Sequence, residues 1–247
     1  MKKRLDQHLV DIGLAPSRAK AQELIEAEQV TLNGRIVKKA SLLVDAASAT
    51  PILAEKNALK FVSRSGFKLE NVIQKLNLDV SGMRALDVGQ STGGFTDCLL
   101  QYGADQVVGV DVADNQLAEK LRHHPRVQPH FHINARELTQ HKVQLGGDFD
   151  LVAIDVSFIS LEKVLPEVIP FLKAKATLLA LIKPQFEVGS VNLDKRGVVK
   201  SSVDLNKSVD KLVEFAQNLG LGEIQTHIAT PRGKDGNQEF FLHAKKP

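Results

Sequence analysis

The residues with most chemistry to offer gather in one run, ALDVGQSTGGFTDCLL, from Ala85 to Leu100. A short apolar strand runs from Ala85 to Val88, and the turn begins at Gly89. A turn of small and hydroxylated residues follows through Ser91, Thr92, Gly93 and Gly94, and then a helix begins. Glycines in such a turn let the backbone approach a ligand with no side chain in the way. Asp87 sits at the strand's end, and Asp111, with Val112 behind it, closes the next apolar run, VVGVD. In an open parallel α/β sheet, ligands bind outside the carboxyl ends of the strands, and an acid after the second strand suits a ribose diol. The pattern implies a pocket for a nucleoside-bearing cofactor.

The elements around that turn alternate. VVGVD reads as a strand, NQLAEKLRHH as a helix, and VQPHFHI as a weaker strand with Asn134-Ala135 beyond it. DFDLVAID is a strand ending at Asp155, and SFISLEKVLPEVIPFL reads mostly as helix. TLLALIKPQFE is a strand ending at Lys183-Pro184. The helix VDLNKSVDKLVEFAQNLG then leads to two final strands, EIQTHIAT and EFFLHAK. Alternation of this kind implies a mostly parallel sheet covered on both faces. The short connection PRGKDGNQ makes the last strand antiparallel. The expected fold is therefore α/β, a Rossmann-like class I methyltransferase with a mostly parallel seven-stranded sheet and an antiparallel last strand.

The turn sequence narrows the cofactor. It reads G-Q-S-T-G-G, not the G-x-G-x-x-G that cradles a pyrophosphate, and no GKS or GKT phosphate loop is present. S-adenosylmethionine carries no phosphate. Ser91 and Thr92 suit its amino-acid end, Asp111 its ribose, and the loop at Asn134 and Ala135 its adenine.

Ahead of this unit, Leu5, Leu9 and Ile12 fall on one helical face, and Ser17 is placed to cap a second helix reaching about Glu28. VTLNGRIV then carries an Asn-Gly pair between apolar runs, a strong hairpin signal. The result is a small α+β domain over 1–56, a linker over 57–62, and a catalytic domain over 63–247. Residues 1–60 hold ten Lys/Arg against seven Asp/Glu, while the rest of the chain balances. Charge so placed is compatible with RNA and equally with an ordinary solvated surface.

The run RLDQHLVDIGLAPSRAKAQELIEAEQVTLNGRIV resembles the S4 RNA-binding domain. That resemblance makes Arg4, Arg18, Lys20 and Arg35 candidates for phosphate contacts, with Arg64 in the basic turn that follows. Such contacts position an RNA without reading its sequence. The S4-like unit followed by SRSGFKL, LDVGQSTGGFTDCLL, AIDVSFISL, LIKPQFEVG and NQEFFL is similar, over essentially the full chain, to the TlyA family of ribosomal RNA 2′-O-methyltransferases. Members often carry a haemolysin label. The wider FtsJ-like group uses a Lys-Asp-Lys-Glu set, which falls here on Lys68, Asp155, Lys183 and Glu239. The resemblance implies S-adenosylmethionine as cofactor, no metal, and ribosomal RNA or ribosomal subunits as partner. Gln90 stands where the family usually has a small alanine. The end soon after the last strand resembles the shorter branch, associated with a cytidine of large-subunit rRNA.

Methyl transfer to a ribose hydroxyl needs the hydroxyl positioned and its proton managed. Lys183 is placed for that, with Lys68 as a second cation and the two carboxylates as a frame. Burial weakens a lysine's hold on its proton and a carboxylate strengthens it, so base and orienter both stay open. Singly, each residue has a plainer reading: Asp155 as a helix cap, Glu239 as a strand-edge charge, and Lys183 as the mark of a strand end. EVGSVNLDKRGVVKSS reads as a mobile loop over the substrate, with Lys195 and Arg196 offered to phosphate, or as a plain surface loop.

Composition sets outer bounds. At 43% hydrophobic and 25% charged residues the 247-residue chain is an ordinary globular protein. No apolar run nears the roughly 20 residues that span a bilayer. The start has no signal-peptide core, and the lone Cys98 excludes an internal disulfide. A cytoplasmic enzyme is the expectation. An S4-type binding module with an inactive methyltransferase domain is the alternative, and a membrane-active haemolysin a third reading.

Overall fold

The computed structural model describes residues 2–26, 29–33, 35–47, 49–53, 60–233 and 235–247. The chain divides into two compact units, 1–64 and 65–247.

In the first unit, β1 (Lys2–Arg4) runs into α1 (Leu5–Asp11), and α2 (Arg18–Glu26) follows. Next come β2 (Val30–Leu32), β3 (Arg35–Ile36), β4 (Leu43–Asp45) and β5 (Pro51–Leu53). β1 pairs antiparallel with β4, and β2 lies between β3 and β5. Ser17 caps α2 as expected, its hydroxyl accepting from Lys20 N at 3.2 Å. Asn33 takes the positive φ the hairpin needs; Gly34 lies outside the described residues. Leu5 and Leu9 of α1 meet Ala21, Leu24 and Ile25 of α2 over Val30 and Val44 to make the core. Of the expected linker, 57–59 lie outside the described residues. Phe61 is buried, and Lys20 Nζ donates to the carbonyls of Phe61 and Val62, both at 3.0 Å. Residues 60–64 thus belong to the first unit.

The second unit opens with α3 (Ser65–Leu76) and continues through β6 (Arg84–Val88), α4 (Gly94–Gln101), β7 (Gln106–Val110), α5 (Glu119–Arg122) and β8 (Val127–His130). Then come α6 (Lys142–Leu145), β9 (Phe149–Ile154), α7 (Leu165–Val168), β10 (Leu172–Ile182), α8 (Leu205–Asn218), β11 (Gly222–Ala229) and β12 (Glu239–Lys245). The seven strands of one sheet lie in the order β11-β12-β10-β9-β6-β7-β8. All neighbours are parallel except β12, which runs antiparallel to both β10 and β11. This is the α/β methyltransferase arrangement the alternation implies. Leu151 to Ile154 of β9 and Leu178 to Ala180 of β10 are wholly buried. Each leucine, valine and isoleucine among them contributes about 1.5–3 kcal/mol on transfer from water.

Two expected helices are broken. NQLAEKLRHH keeps only the four residues of α5: Ala118 has extended backbone and its N–H donates to the Thr92 carbonyl at 3.2 Å, so the helix starts after it. SFISLEKVLPEVIPFL is a chain of short turns, 3₁₀ over 161–163, α7, then 3₁₀ over 169–171. Pro166 and Pro170 each remove a backbone donor and force a new start.

Candidate active site

The sheet register delivers three of the expected residues to one edge. Ala180 lies opposite Ile154 on β9, and Ile182 lies opposite Phe240 on β12. Asp155, Lys183 and Glu239, each next in line, therefore sit at the same end of three adjacent strands. Lys183 Nζ is 2.6 Å from Asp155 Oδ1. That contact is an ion pair by distance and not a directed hydrogen bond; the directed bond from Nζ goes to Ser157 Oγ at 2.9 Å. Lys68 enters from α3, and its Nζ donates to Glu239 Oε2 at 2.5 Å. Both partners are buried. Removing one member of such a pair leaves an uncompensated charge, at a cost of about 3–5 kcal/mol. The four residues thus form two Lys-carboxylate pairs.

Backbone fit holds this end together. A Cβ on Gly89 would lie 2.5 Å from the carbonyl oxygen of Asp155, and one on Gly233 equally close to Glu239 Oε1. Gly89 also has φ +87, a conformation that suits glycine. One turn along α3 from Lys68, Asn71 Nδ2 donates to the carbonyl and hydroxyl oxygens of Thr230 at 2.8 and 2.9 Å. This fixes the start of the loop that returns to Glu239.

Beside the pairs opens a cleft of about 530 Å³. Gly89, Ser91, Asp111, Val112, Asn134, Ala135 and Asp155 line it, as expected of a cofactor site, together with Val156 to Ile159. Asp111 accepts from Ser91 N at 2.8 Å and Ala113 N at 2.9 Å, so its carboxylate is held rigidly at the wall. A fixed carboxylate beside a turn without the pyrophosphate fingerprint fits the ribose of S-adenosylmethionine. Two lining residues had no signal in the sequence. Gln116 accepts from Ser91 Oγ at 2.8 Å, and Arg136 stands exposed on the rim. Asp155 and Ser157 line the cleft and both touch Lys183, so the lysine ammonium stands directly behind them; Lys68, Lys183 and Glu239 are not themselves lining residues.

Asp87, Thr92, Gly93 and Gly94 do not line the cleft. Asp87 is wholly buried, and its Oδ2 accepts from Thr96 Oγ1 at 2.7 Å and Thr96 N at 3.0 Å. Burial pushes its carboxyl up to about 7, against the pull of the Thr96 hydrogen bonds. The expectation that Asp87 meets the cofactor is corrected: it ties the turn to the first residues of α4. Gly93 is the left-handed N-cap of α4, and its missing Cβ makes room for Leu117 and Leu121.

The expected mobile loop is a small hairpin. Leu193 and Val199 form an antiparallel bridge, and Asp194 Oδ1 accepts from Arg196 N and Val198 N at 2.8 and 2.9 Å. Asn237, buried and the first residue of NQEFFL, accepts from Val199 N at 3.0 Å and donates to Gly197 O at 3.1 Å. It thereby pins the hairpin to the loop that ends at Glu239. Lys195 and Arg196 are exposed at the hairpin's tip. In the first unit Arg35 is exposed and Arg64 half-buried. Lys20 is taken up by two carbonyls and Glu23, so its ammonium fastens the end of the unit and is not held out for phosphate.

Comparison with known proteins agrees with this architecture. The model of FtsJ-like methyltransferases matches residues 61–246, and that of the S4 domain matches residues 3–48. The 16S/23S rRNA (cytidine-2′-O)-methyltransferase TlyA of Mycobacterium tuberculosis is 41% identical over 240 residues, 97% of this chain and 88% of the relative. This chain belongs to the TlyA family. A second relative, the 23S rRNA (cytidine-2′-O)-methyltransferase TlyA of Campylobacter jejuni, is 33% identical over 92% of this chain and 93% of its own length. A solved structure described as a putative hemolysin from Streptococcus thermophilus superposes with a TM-score of 0.76 at 35% identity, covering 99% of this chain and 88% of that one. The second unit is thus an S-adenosylmethionine-dependent methyltransferase domain, joined in TlyA fashion to an S4 domain. Among the described residues, no helix is long and apolar enough to cross a membrane. None of the described His, Cys, Asp and Glu residues form a group of three or more that could hold a metal ion.

Proposed function

We propose that this TlyA-family chain methylates the ribose 2′-OH of a cytidine in ribosomal RNA, most directly that of the large subunit, and does so in the cytoplasm. The observation that carries the reading is the pair of Lys-carboxylate contacts beside the cleft, Lys183 with Asp155 and Lys68 with Glu239. S-adenosylmethionine, when bound, supplies a methyl group already activated on a sulfonium sulfur. Asp111 would hold its ribose, the Ser91 turn its amino-acid end, and the Asn134-Ala135 loop its adenine. Lys183 Nζ meets the substrate's 2′-oxygen and stabilises the negative charge that develops there as its proton passes to solvent water. Asp155 and Ser157 fix that ammonium from two sides. Lys68, braced by Glu239, supplies the second positive charge at the same sheet end. Phe158 is 86% exposed on the rim of the cleft, with its ring tilted at 5.2 Å against Phe186. A flat apolar face held out beside the reacting group is suited to stack on an unpaired base. The cytidine and the subunit rest on the names of the two relatives.

The reading is tested by incubating isolated large and small ribosomal subunits with the protein and methyl-labelled S-adenosylmethionine, then mapping the label. Label on one ribose 2′-oxygen of a cytidine in large-subunit rRNA is expected. Label on a base, or none on either subunit while cofactor binds, overturns it; the second result returns the chain to an RNA-binding module.

A further inference from the structure

The first unit contains a buried carboxylate that gathers two arginines. Asp6, the second residue of α1, has a fully buried side chain, yet two half-exposed guanidinium groups reach it. Arg4 binds it through two nitrogens, Nε to Oδ1 at 3.0 Å and Nη2 to Oδ2 at 2.9 Å. Arg18 comes from the start of α2, with Nη2 3.2 Å from the same Oδ2. Gln22, one turn on, donates to that oxygen at 2.8 Å, and the backbone N–H of Gln7 donates to Oδ1 at 2.9 Å. These donors, the Arg4 guanidinium first among them, hold the carboxyl well below the usual carboxylate range.

A guanidinium carries five N–H donors in a rigid fork. Arg4 spends two on Asp6 and Arg18 spends one, which leaves three and four. Both side chains are 44–53% exposed, so these donors face water. Two guanidiniums fastened to one oxygen are close enough to share a phosphate group. Their charge exceeds that of the carboxylate, and their rotamer freedom has been lost before any ligand arrives. We infer that Asp6 is a positioning residue that makes Arg4 and Arg18 into one preformed receptor for an RNA phosphodiester. The inference deepens the RNA reading above and rests on it. It goes against the simplest electrostatic expectation, in which removing an acid from an RNA-binding face tightens binding.

The test uses the full chain, a fluorescein-labelled RNA hairpin and a labelled oligouridylate, with affinity measured across a salt series. Asp6→Asn is expected to weaken binding about five- to tenfold and to flatten the dependence of log Kd on log salt by about one phosphate contact or more. Asp11→Asn, which removes an exposed carboxylate of the same helix that pairs with Lys3 and touches neither arginine, is expected not to weaken binding. Arg4→Lys with Arg18→Lys keeps Asp6 and both charges but loses the forks, and is expected to weaken binding even if Asp6→Asn fails to fold. Tighter or unchanged binding by a folded Asp6→Asn variant, or full affinity in the double lysine variant, overturns the inference while the RNA reading stands. A wild-type chain that binds neither RNA overturns both.

Discussion

The carboxamide of Gln90 lies in the space that a side chain on Gly109 would fill. Gln90 belongs to the cofactor turn and Gly109 to the neighbouring strand β7. The amide is buried there, and its Nε2 donates to Thr96 Oγ1 at 2.9 Å, which in turn donates to Asp87. The glutamine is thus accommodated by a glycine on the adjacent strand, and the backbone of the turn keeps its bonds to Val110.

Gly109→Ala should therefore destabilise the protein by displacing the Gln90 amide from Thr96, although the backbone there needs no glycine. Gln90→Ala opens the space and should make the same substitution tolerable. Urea denaturation of the two single variants and the double variant is expected to show coupling of about 1–2 kcal/mol. Strictly additive losses would refute the arrangement.

Asp87 gives a pH dependence of definite sign. Burial raises its folded value to about 7, while an unfolded aspartate titrates near about 4. Between these limits the native state holds a proton that the unfolded state has released, so stability falls as pH rises. The slope contributed by this one group reaches about 1.4 kcal/mol per pH unit. Denaturation at several pH values should show this fall in wild type and its loss in Asp87→Asn. Parallel curves for the two proteins would contradict the assignment.

Asn237 should act on the hairpin and not on the cofactor. In Asn237→Ala the amide of Val199 is expected to exchange with solvent at least tenfold faster, and KM for ribosomal subunits to rise severalfold. Affinity for S-adenosylmethionine should stay unchanged, since no residue of the hairpin lines the cleft. Unaltered exchange at Val199 would show that the two hydrogen bonds do not pin the loop.

Phe158 tests the stacking role. Base stacking on an aromatic face is worth about 1–3 kcal/mol by alanine substitution, so Phe158→Ala should lower kcat/KM for subunits about 10- to 100-fold, with Phe158→Tyr near wild type. Its ring is mostly in water, so the melting temperature should scarcely move. Equal activity of the alanine variant would exclude the role.

What could be read from the sequence divides along physical lines. Strands β7, β9 and β10 are apolar runs that end at Asp111, Asp155 and Lys183, and the short connection between the last two strands sets β12 antiparallel. Both features are local and visible in the chain. The contact of Lys68 with Glu239 spans 171 positions, and no local pattern announces it; only likeness to a family brings the two together. Asp87 looked like a ligand group because it stands beside the glycine turn, but its side chain points into the sheet's packing, which strand alternation alone did not reveal. The helix expected over NQLAEKLRHH is shorter because the backbone of Ala118 is extended and bonds to the carbonyl of Thr92 in the cofactor turn. Asp6 and Asn237 lie in runs that resemble the family, but they matter through what α2 and the hairpin bring to them, so no local pattern gave their roles.

The central claim is that Lys183, held by Asp155 and Ser157, acts on the 2′-oxygen. Single-turnover methyl transfer to large ribosomal subunits, with S-adenosylmethionine saturating, measures this directly for wild type, Lys183→Ala and Lys183→Arg. The account predicts that Lys183→Ala slows transfer by at least about 100-fold, with cofactor and subunit affinities little changed and Lys183→Arg recovering only part of the rate. Transfer by Lys183→Ala at the wild-type rate, to the same ribose oxygen, would contradict it.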